Sequence, residues 1–330
     1  MDLTWLDPED PGGRELAGMV AVAEGARAVD TPYRRSITLS SHRGSLRYGW
    51  DGDQPRVGVA LAGGRVVASL TLTLPRRDNT HLCYFDIVVD PLVRRRGLGR
   101  ELLQVVLGVA REEGRRTLMT SPYGGSPGEP FCAAAGFAQV YRESQREQRV
   151  LELDADHLAA MRRDAEKLAE DFELVAYAGA LPDALLDEAA RLGAVINDAP
   201  VEQLDMEDEV YDAERIRTFE RAQALQGRRL HRVVARHRGT GEPAGHTVVA
   251  VEVEHPWLAS QYDTSVAAAH RGHRLGLLLK LEMLRHLAGA EPQVRSLFTW
   301  NADSNAHMVG VNEQLGYRVV AGASEWQRAL

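Results

Sequence analysis

The chain has 330 residues, 44% hydrophobic and 26% charged, a globular composition with room for two domains that each bury a core. A formal charge of −8 weighs against a broad nucleic-acid or anionic-membrane surface, so any anion binding must be local. No apolar run approaches the roughly eighteen residues of a membrane span, and Met1–Asp7 lacks the basic and apolar parts of a secretory leader, so the cytosol is the expected compartment.

In chain order, the pattern predicts a short strand at Thr4–Leu6, a helix through Arg14–Arg27 and a loop ending near Arg34 and Arg35. A hairpin follows, Val57–Leu61 and Arg65–Leu74, turned at Ala62-Gly63-Gly64. The run His81–Val89 is the third strand, closed by Asp90-Pro91. Next come a helix with the apolar stripe Leu102, Leu103, Val106, Leu107 and Ala110, a strand Thr117–Thr120, a loop Ser121–Pro130, a short helix Phe131–Ala135 and a strand from Phe137. Asp154–Glu170 is charged and helix-prone and is expected to join two halves on the surface. The same plan then recurs: a strand at Phe172–Ala176, helices Asp183–Val195 and Ala213–Gln226, a hairpin of Leu230–Ala235 with His246–Val253, and a strand ending at Val266. A long helix through Leu278–Leu287, a strand Ser296–Trp300, a helix Ala306–Gln314 and a strand from Gly316-Tyr317 complete it.

The repetition is literal around one turn. Arg94, Gly97, Leu98 and Gly99 return as Arg271, Arg274, Leu275 and Gly276, and Asp86 and Val89 return as Asp263 and Val266, all 177 residues on. A small-residue turn entering a helix presents unpaired main-chain N–H groups and the positive end of the helix dipole, which makes a cradle for a pyrophosphate. The amides and side chains of Arg94, Arg95, Arg96, Gly97, Leu98, Gly99 and Arg100, and of Arg271, Gly272, His273, Arg274, Leu275 and Gly276, are the candidates, with arginines adding charge-assisted bonds. Against this stands the plainer reading of an ordinary helix start. Cys83 and Cys132 read as buried free thiols, and no Cys or His spacing suggests a metal. Lys167 and Lys280 are the only lysines among many arginines, which reflects GC-rich coding.

The order of meander, basic glycine turn, long helix, strand and short helix ending in Gly136-Phe137 or Gly316-Tyr317 resembles the GCN5-related N-acetyltransferase (GNAT) superfamily in both halves. Arg94-x-x-Gly97-x-Gly99 is similar to its acyl-CoA signature. The second copy departs from it, since Arg274 replaces the first glycine and compromises a close approach unless its φ stays negative. The layout is similar to the mycothiol synthase-type two-domain acetyltransferases of actinobacteria, and a bacterial source is expected. The resemblance implies an α/β (α+β) chain of two tandem domains, each a mixed, mostly antiparallel central sheet flanked by helices. These would span residues 1–153 and 172–330, with a linker helix at 154–171.

The resemblance further implies an acetyl-CoA co-substrate without metal, its pantetheine bonded along the strand edge at Val89 or Val266. Asn301 and Asn305 are further ligand-contacting candidates. A primary amine on a small molecule would attack the thioester directly, the protein being a monomer or homodimer with no nucleic-acid or membrane partner. Asp263 is the preferred base, with Glu254, His255 and Asp205 as alternatives; a hydrogen-bonded strand-end aspartate is the plainer reading of Asp263, and its repetition as Asp86 suits a shared structural duty. The family's tyrosine acid is missing, its places taken by Cys132 and Asn312. An acidic stretch, Asn197–Glu209, is expected to shape the acceptor pocket of the second half, which is favoured as catalytic. The rival reading is a non-catalytic acyl-CoA sensor or assembly protein. A dinucleotide oxidoreductase is disfavoured because both turns follow a meander instead of an opening strand.

Overall fold

The structure is a computed structural model that describes residues 2–10 and 13–330, and the chain forms two compact units. The first runs to Arg142 and includes Val201–Asp208 and Ala321–Leu330; the second is Glu143–Pro200 with Glu209–Val320. Among the described residues, no helix is long and apolar enough to cross a membrane, and no group of three His, Cys, Asp or Glu side chains could hold a metal ion.

In the first unit β1 (Asp2–Trp5), α1 (Gly13–Asp30), α2 (Leu39–Tyr48), β2 (Arg56–Ala62), β3 (Arg65–Thr73), β4 (Leu82–Val89), α3 (Leu98–Glu112), β5 (Thr117–Thr120) and α4 (Gly128–Ala134) follow in order. The strands pair sequentially, antiparallel except for the parallel β4–β5 contact. Period-two alternation sends Val57, Val59 and Val66 to one face, where α1 docks Leu16, Met19 and Val22. The other face receives the α3 stripe of Leu102, Leu103, Val106 and Ala110 on Leu70, Phe85 and Leu118. Each such aliphatic side chain contributes about 1.5–3 kcal/mol on burial. Helix α2 lies in a stretch that periodicity leaves as loop; its start is marked by Thr38, whose hydroxyl accepts the Ser41 amide. Both cysteines are buried thiols, and loss of hydration pushes them up, Cys83 to about 11 and Cys132 to about 12.

The chain continues through β6 (Ala138–Arg149), α5 (Ala155–Glu166), β7 (Phe172–Ala178), α6 (Leu186–Gly193), α7 (Ala213–Leu225), β8 (Arg228–His237), β9 (Pro243–Glu252) and β10 (Leu258–Val266). It ends with α8 (Leu275–Ala290), β11 (Ser296–Ala302), α9 (Ala306–Gln314) and β12 (Arg318–Ala329). In the second unit β7, β8, β9 and β10 pair antiparallel in sequence and β10 meets β11 in parallel. Helix α8 covers one face through Leu275, Leu279 and Met283 on Val233, Val249 and Val251. Leu230, Val248, Ala250, Phe219 and Tyr262 pack together on the other.

The units are not contiguous stretches divided at 153 and 171. Residues 326–329 of β12 pair with β5 and complete the first sheet, while residues 143–149 of β6 pair with β11 and complete the second. The expected linker is also integral to the second unit. Asp154 caps α5 by accepting the amides of Asp156 and His157, Ala165 is buried, and Arg162 pairs with Glu282 on α8 at 2.7 Å.

Candidate functional site

Each unit opens a fork in its sheet. Strands β4 and β5 are paired only from Leu82↔Thr117 to Tyr84↔Met119, and β10 and β11 only from Leu258↔Ser296 to Ser260↔Phe298. Beyond those pairs no strand among the described residues pairs with the main-chain edge running to Val89 or Val266, because the parallel partners diverge there. An open edge of that kind accepts an extended ligand as an added strand.

The basic turn stands at the mouth of each fork. The first main-chain bonds of the helices are made by Arg100 and Glu101 to the Gly97 carbonyl, and by Leu277 and Leu278 to that of Arg274. The cradle donors are therefore the amides of 96–99 and 273–276; Arg100 and Leu277 spend theirs on the helix. The backbone reaches the left-handed region twice per turn, at Arg95 (φ 65°) and Gly97 (φ 93°), and at Gly272 (φ 88°) and Arg274 (φ 55°). Each copy spends one glycine and one arginine on the two positions, in opposite order. Arg274 thus takes the positive φ that was expected to require glycine, and the cradle geometry survives its substitution. An L-residue held there costs about 1 kcal/mol. Arg274→Gly is expected to raise stability by about that amount and Gly97→Arg to lower it similarly; paired thermal melts with no shift in either would contradict the strained turn.

Arg94 and Arg271 do not face an anion. Arg94 Nε donates to the Val89 carbonyl at 3.1 Å and its other nitrogens grip Asp30 at 2.7 and 2.6 Å; Arg271 Nε donates to the Val266 carbonyl at 3.1 Å and its guanidinium pairs with Asp198. Both are clamps fastening the turn to the end of its strand. His273 also turns away, its Nδ1 3.0 Å from the Leu168 carbonyl. Arg95, Arg96, Arg100 and Arg274 remain exposed for charge-assisted contacts, and a Cβ on Gly276 would meet nothing within 4 Å.

The two repeated aspartates live in different surroundings. In the first unit Asp86 pairs in register with Thr71; it is open to solvent yet crowded by protein, and the lost hydration raises its carboxyl against the pull of Arg34. In the second, one extra residue between Gln261 and Thr264 makes a β-bulge that re-aims Asp263. Asp263 accepts from His246 Nε2 at 2.6 Å and from Ser265 Oγ at 2.5 Å, and Arg232 Nη1 donates to His246 Nδ1 at 3.2 Å. A guanidinium only donates, so Nδ1 accepts and the ring proton lies on Nε2, aimed at the carboxylate. Burial pushes Arg232 and Lys280 down, Lys280 to about 7, while the Asp263 charge opposes both shifts. Burial and then Glu209 raise Tyr211, which also feels Asp263. A shared structural duty for Asp86 and Asp263 does not survive these differences.

The other expected site residues scatter. Glu254 and His255 lie in the turn before β10, so some 25 Å of strand separates His255 from Asp263. His255 pairs instead with Glu252 and packs on Trp257. Asp205 belongs to the first unit, held by Thr117 Oγ1 at 2.6 Å and by the Gln327 side chain, and Val201–Asp208, the middle of the acidic stretch, is part of that unit. Asn305 caps α9 by accepting the Met308 amide, and Asn301 accepts from Asn312 Nδ2 at 2.7 Å. Asn312 is fully buried and has no proton to give as an acid.

His246, Arg232, Ser265 and Lys280 escaped the sequence reading, yet the repeat carries their signal. At 177 residues' remove, His246, Thr247, Ser265 and Lys280 answer to Ser69, Leu70, Val88 and Leu103, and Arg232 takes the register place of Val57.

Residues 26–124 match the Acetyltransferase (GNAT) family. No curated protein sequence matches the chain. Among solved structures, a tandem GNAT protein from the clavulanic acid biosynthesis pathway is 27% identical with a TM-score of 0.78, over 99% of this chain and 98% of its own. A GCN5-related N-acetyltransferase from Sphaerobacter thermophilus is 13% identical, TM-score 0.68, over 99% and 95%. The N-myristoyltransferase of Saccharomyces cerevisiae with bound myristoyl-CoA shares the fold at 10% identity and TM-score 0.59, over 98% and 78%.

Proposed function

We propose that this chain, a tandem protein of the GNAT family, is an acyl-CoA-dependent N-acyltransferase whose second unit transfers the acyl group, acetyl in the simplest case, to a primary amine of a small molecule. The carrying observation is the polar interior around the bulge of β10. Buried polar groups are costly unless they serve a purpose, and Arg232, His246, Thr247, Ser265 and Lys280 stand where the first copy is mostly apolar.

The residues fit the co-substrate. Free amides at 273–276 and the exposed Arg274 suit its pyrophosphate, and the open edge of β10 suits its pantetheine amides. A main-chain N–H at the fork supplies the oxyanion donor. Asp263, half-buried and aimed by His246, takes the proton of the incoming ammonium. The amine nitrogen then bonds to the carbonyl carbon, the carbon–sulfur bond breaks and the thiolate leaves with its electron pair; the second proton shed by the nitrogen as the amide forms passes through water to the thiolate, and Asp263 returns its own proton to solvent. Arg232 and His246 act through Asp263 and are positioning residues.

Asn312 in place of a proton donor favours the second reading, a non-catalytic acyl-CoA binder. Thiol release from acetyl-CoA over a panel of amines separates the two: turnover supports transfer, and tight binding without release for every amine supports the binder. Gly276→Pro removes a cradle amide at the second helical position and is expected to abolish binding at the second unit with the fold intact; unchanged affinity by calorimetry would remove that turn from the mechanism.

A further inference from the structure

The face of the second sheet under α8 and α9 holds two buried cations, Arg146 and Lys280, neither of which forms an ion pair with a carboxylate among the described residues, although the Asp263 charge acts on Lys280. Arg146 is 5% exposed, and its Nε and Nη1 are buried without a hydrogen-bond partner. It lies opposite Thr299, the first residue of β11 beyond the fork's last pair. Its neighbour on the same face of β6, Gln148, donates to the Leu315 carbonyl just past α9, which fixes the side the guanidinium faces. Lys280 is 3% exposed, with its ammonium 5.2 Å from the Tyr317 ring. Tyr317 donates its amide to Asn312, and Asn312 bonds Asn301, two residues along the Thr299 face of β11. Arg146, Thr299, Asn301, Asn312, Tyr317 and Lys280 thus line one layer beneath the fork.

The first unit is an internal control. Trp326 pairs with Thr120 as Arg146 pairs with Thr299, while Leu103 and Cys132 occupy the places of Lys280 and Asn312. These positions are therefore apolar in one copy, where the neighbouring Arg328 lies 5.8 Å from the Phe137 ring and donates to the Ala135 carbonyl, and carry two buried cations in the other. A buried, unpaired guanidinium is among the costliest groups a fold can hold, and an anion delivered to it removes that cost. On the transferase reading, on which this inference rests, a pantetheine arm along β10 brings its thioester to the closed end of the fork beside Thr299, and the acyl chain continues into this layer.

We propose that the second unit takes an acyl-CoA whose acyl chain ends in a carboxylate, of the malonyl or succinyl class, held by Arg146 and Lys280 beneath the fork. Calorimetric titration of the full chain with succinyl-CoA and with acetyl-CoA tests this, the second unit's site being identified as the one Gly276→Pro removes. Succinyl-CoA is expected to bind there about tenfold tighter or more. Arg146→Met and Lys280→Met should each bring that ratio below about threefold, and Arg146→Met should not lower the melting temperature of the ligand-free protein, as loss of a structural contact would. A wild-type ratio within threefold, or a ratio that survives both substitutions, overturns the carboxylate site and leaves acyl-CoA transfer standing. If neither thioester binds at the second unit, both fail.

Discussion

Asp263→Asn is expected to lower the rate constant for amine acylation by roughly two to four orders of magnitude, the usual contribution of a positioned proton acceptor. Asparagine is isosteric: its amide oxygen keeps the bond from His246 Nε2 and its NH2 can donate to the Ser265 hydroxyl, which reverses its role, while the ability to take a proton is lost. Acyl-CoA affinity should change little, because the cradle is at the far side of Val266. Pre-steady-state thiol release reads the chemical step directly. Asp86→Asn is the matched control: its carboxyl lies on a strand without a bulge, and its effect on the same reaction should stay within a fewfold. A rate for Asp263→Asn within a fewfold of wild type would remove it as the base, and collapse with Asp86→Asn instead would move the chemistry to the first unit.

Lys280→Met is expected to make the ligand-free protein more stable at neutral pH, by a margin that closes as the pH rises. Burial depresses the ammonium to about 7 in the folded chain, against 10.5 when exposed. Between these values the unfolded chain binds the proton that the folded chain has released, so wild-type stability climbs with pH through that window. Below about pH 7 both states are charged and the full penalty applies; above about 10.5 both are neutral and it vanishes. At about 1.4 kcal/mol per unit, the margin at pH 7 has a ceiling of roughly 4 kcal/mol. Since Asp263 and the Tyr317 ring face the same ammonium, the difference between wild type and Lys280→Met at each pH, followed by denaturant melts from pH 7 to 10, isolates this group. A margin that is constant across that range would show that the ammonium is hydrated.

A dicarboxylic acyl chain beside Lys280 would reverse the depression, and the pH dependence should flatten when succinyl-CoA is bound. The same residue therefore links a stability measurement to a question of substrate choice.

The amino-acid pattern by itself determined the tandem plan. Val57, Val59, Leu70 and Phe85 alternate as a half-buried strand must, the α3 stripe repeats at helical spacing, and a turn recurring after 177 residues marks two copies of one unit. It also marked the two turns that are proposed as cradles, because main-chain amides at a helix start follow from the strand–turn–helix order. The tertiary structure alone decided what the side chains around them do. Arg94 and Arg271 look like anion ligands in sequence, but Asp30 and Asp198 reach them from distant helical segments and turn them into clamps. Asp205 is captured by the first unit, and the closing strands pair with β5 and β11 far from their sequence neighbours. The bulge that aims Asp263 at His246 depends on register between β9 and β10, which periodicity does not encode, and Arg146 acquires meaning only when pairing sets it against Thr299. Local order follows from short-range backbone and hydrophobic preferences. The chemistry depends on contacts closed across long loops.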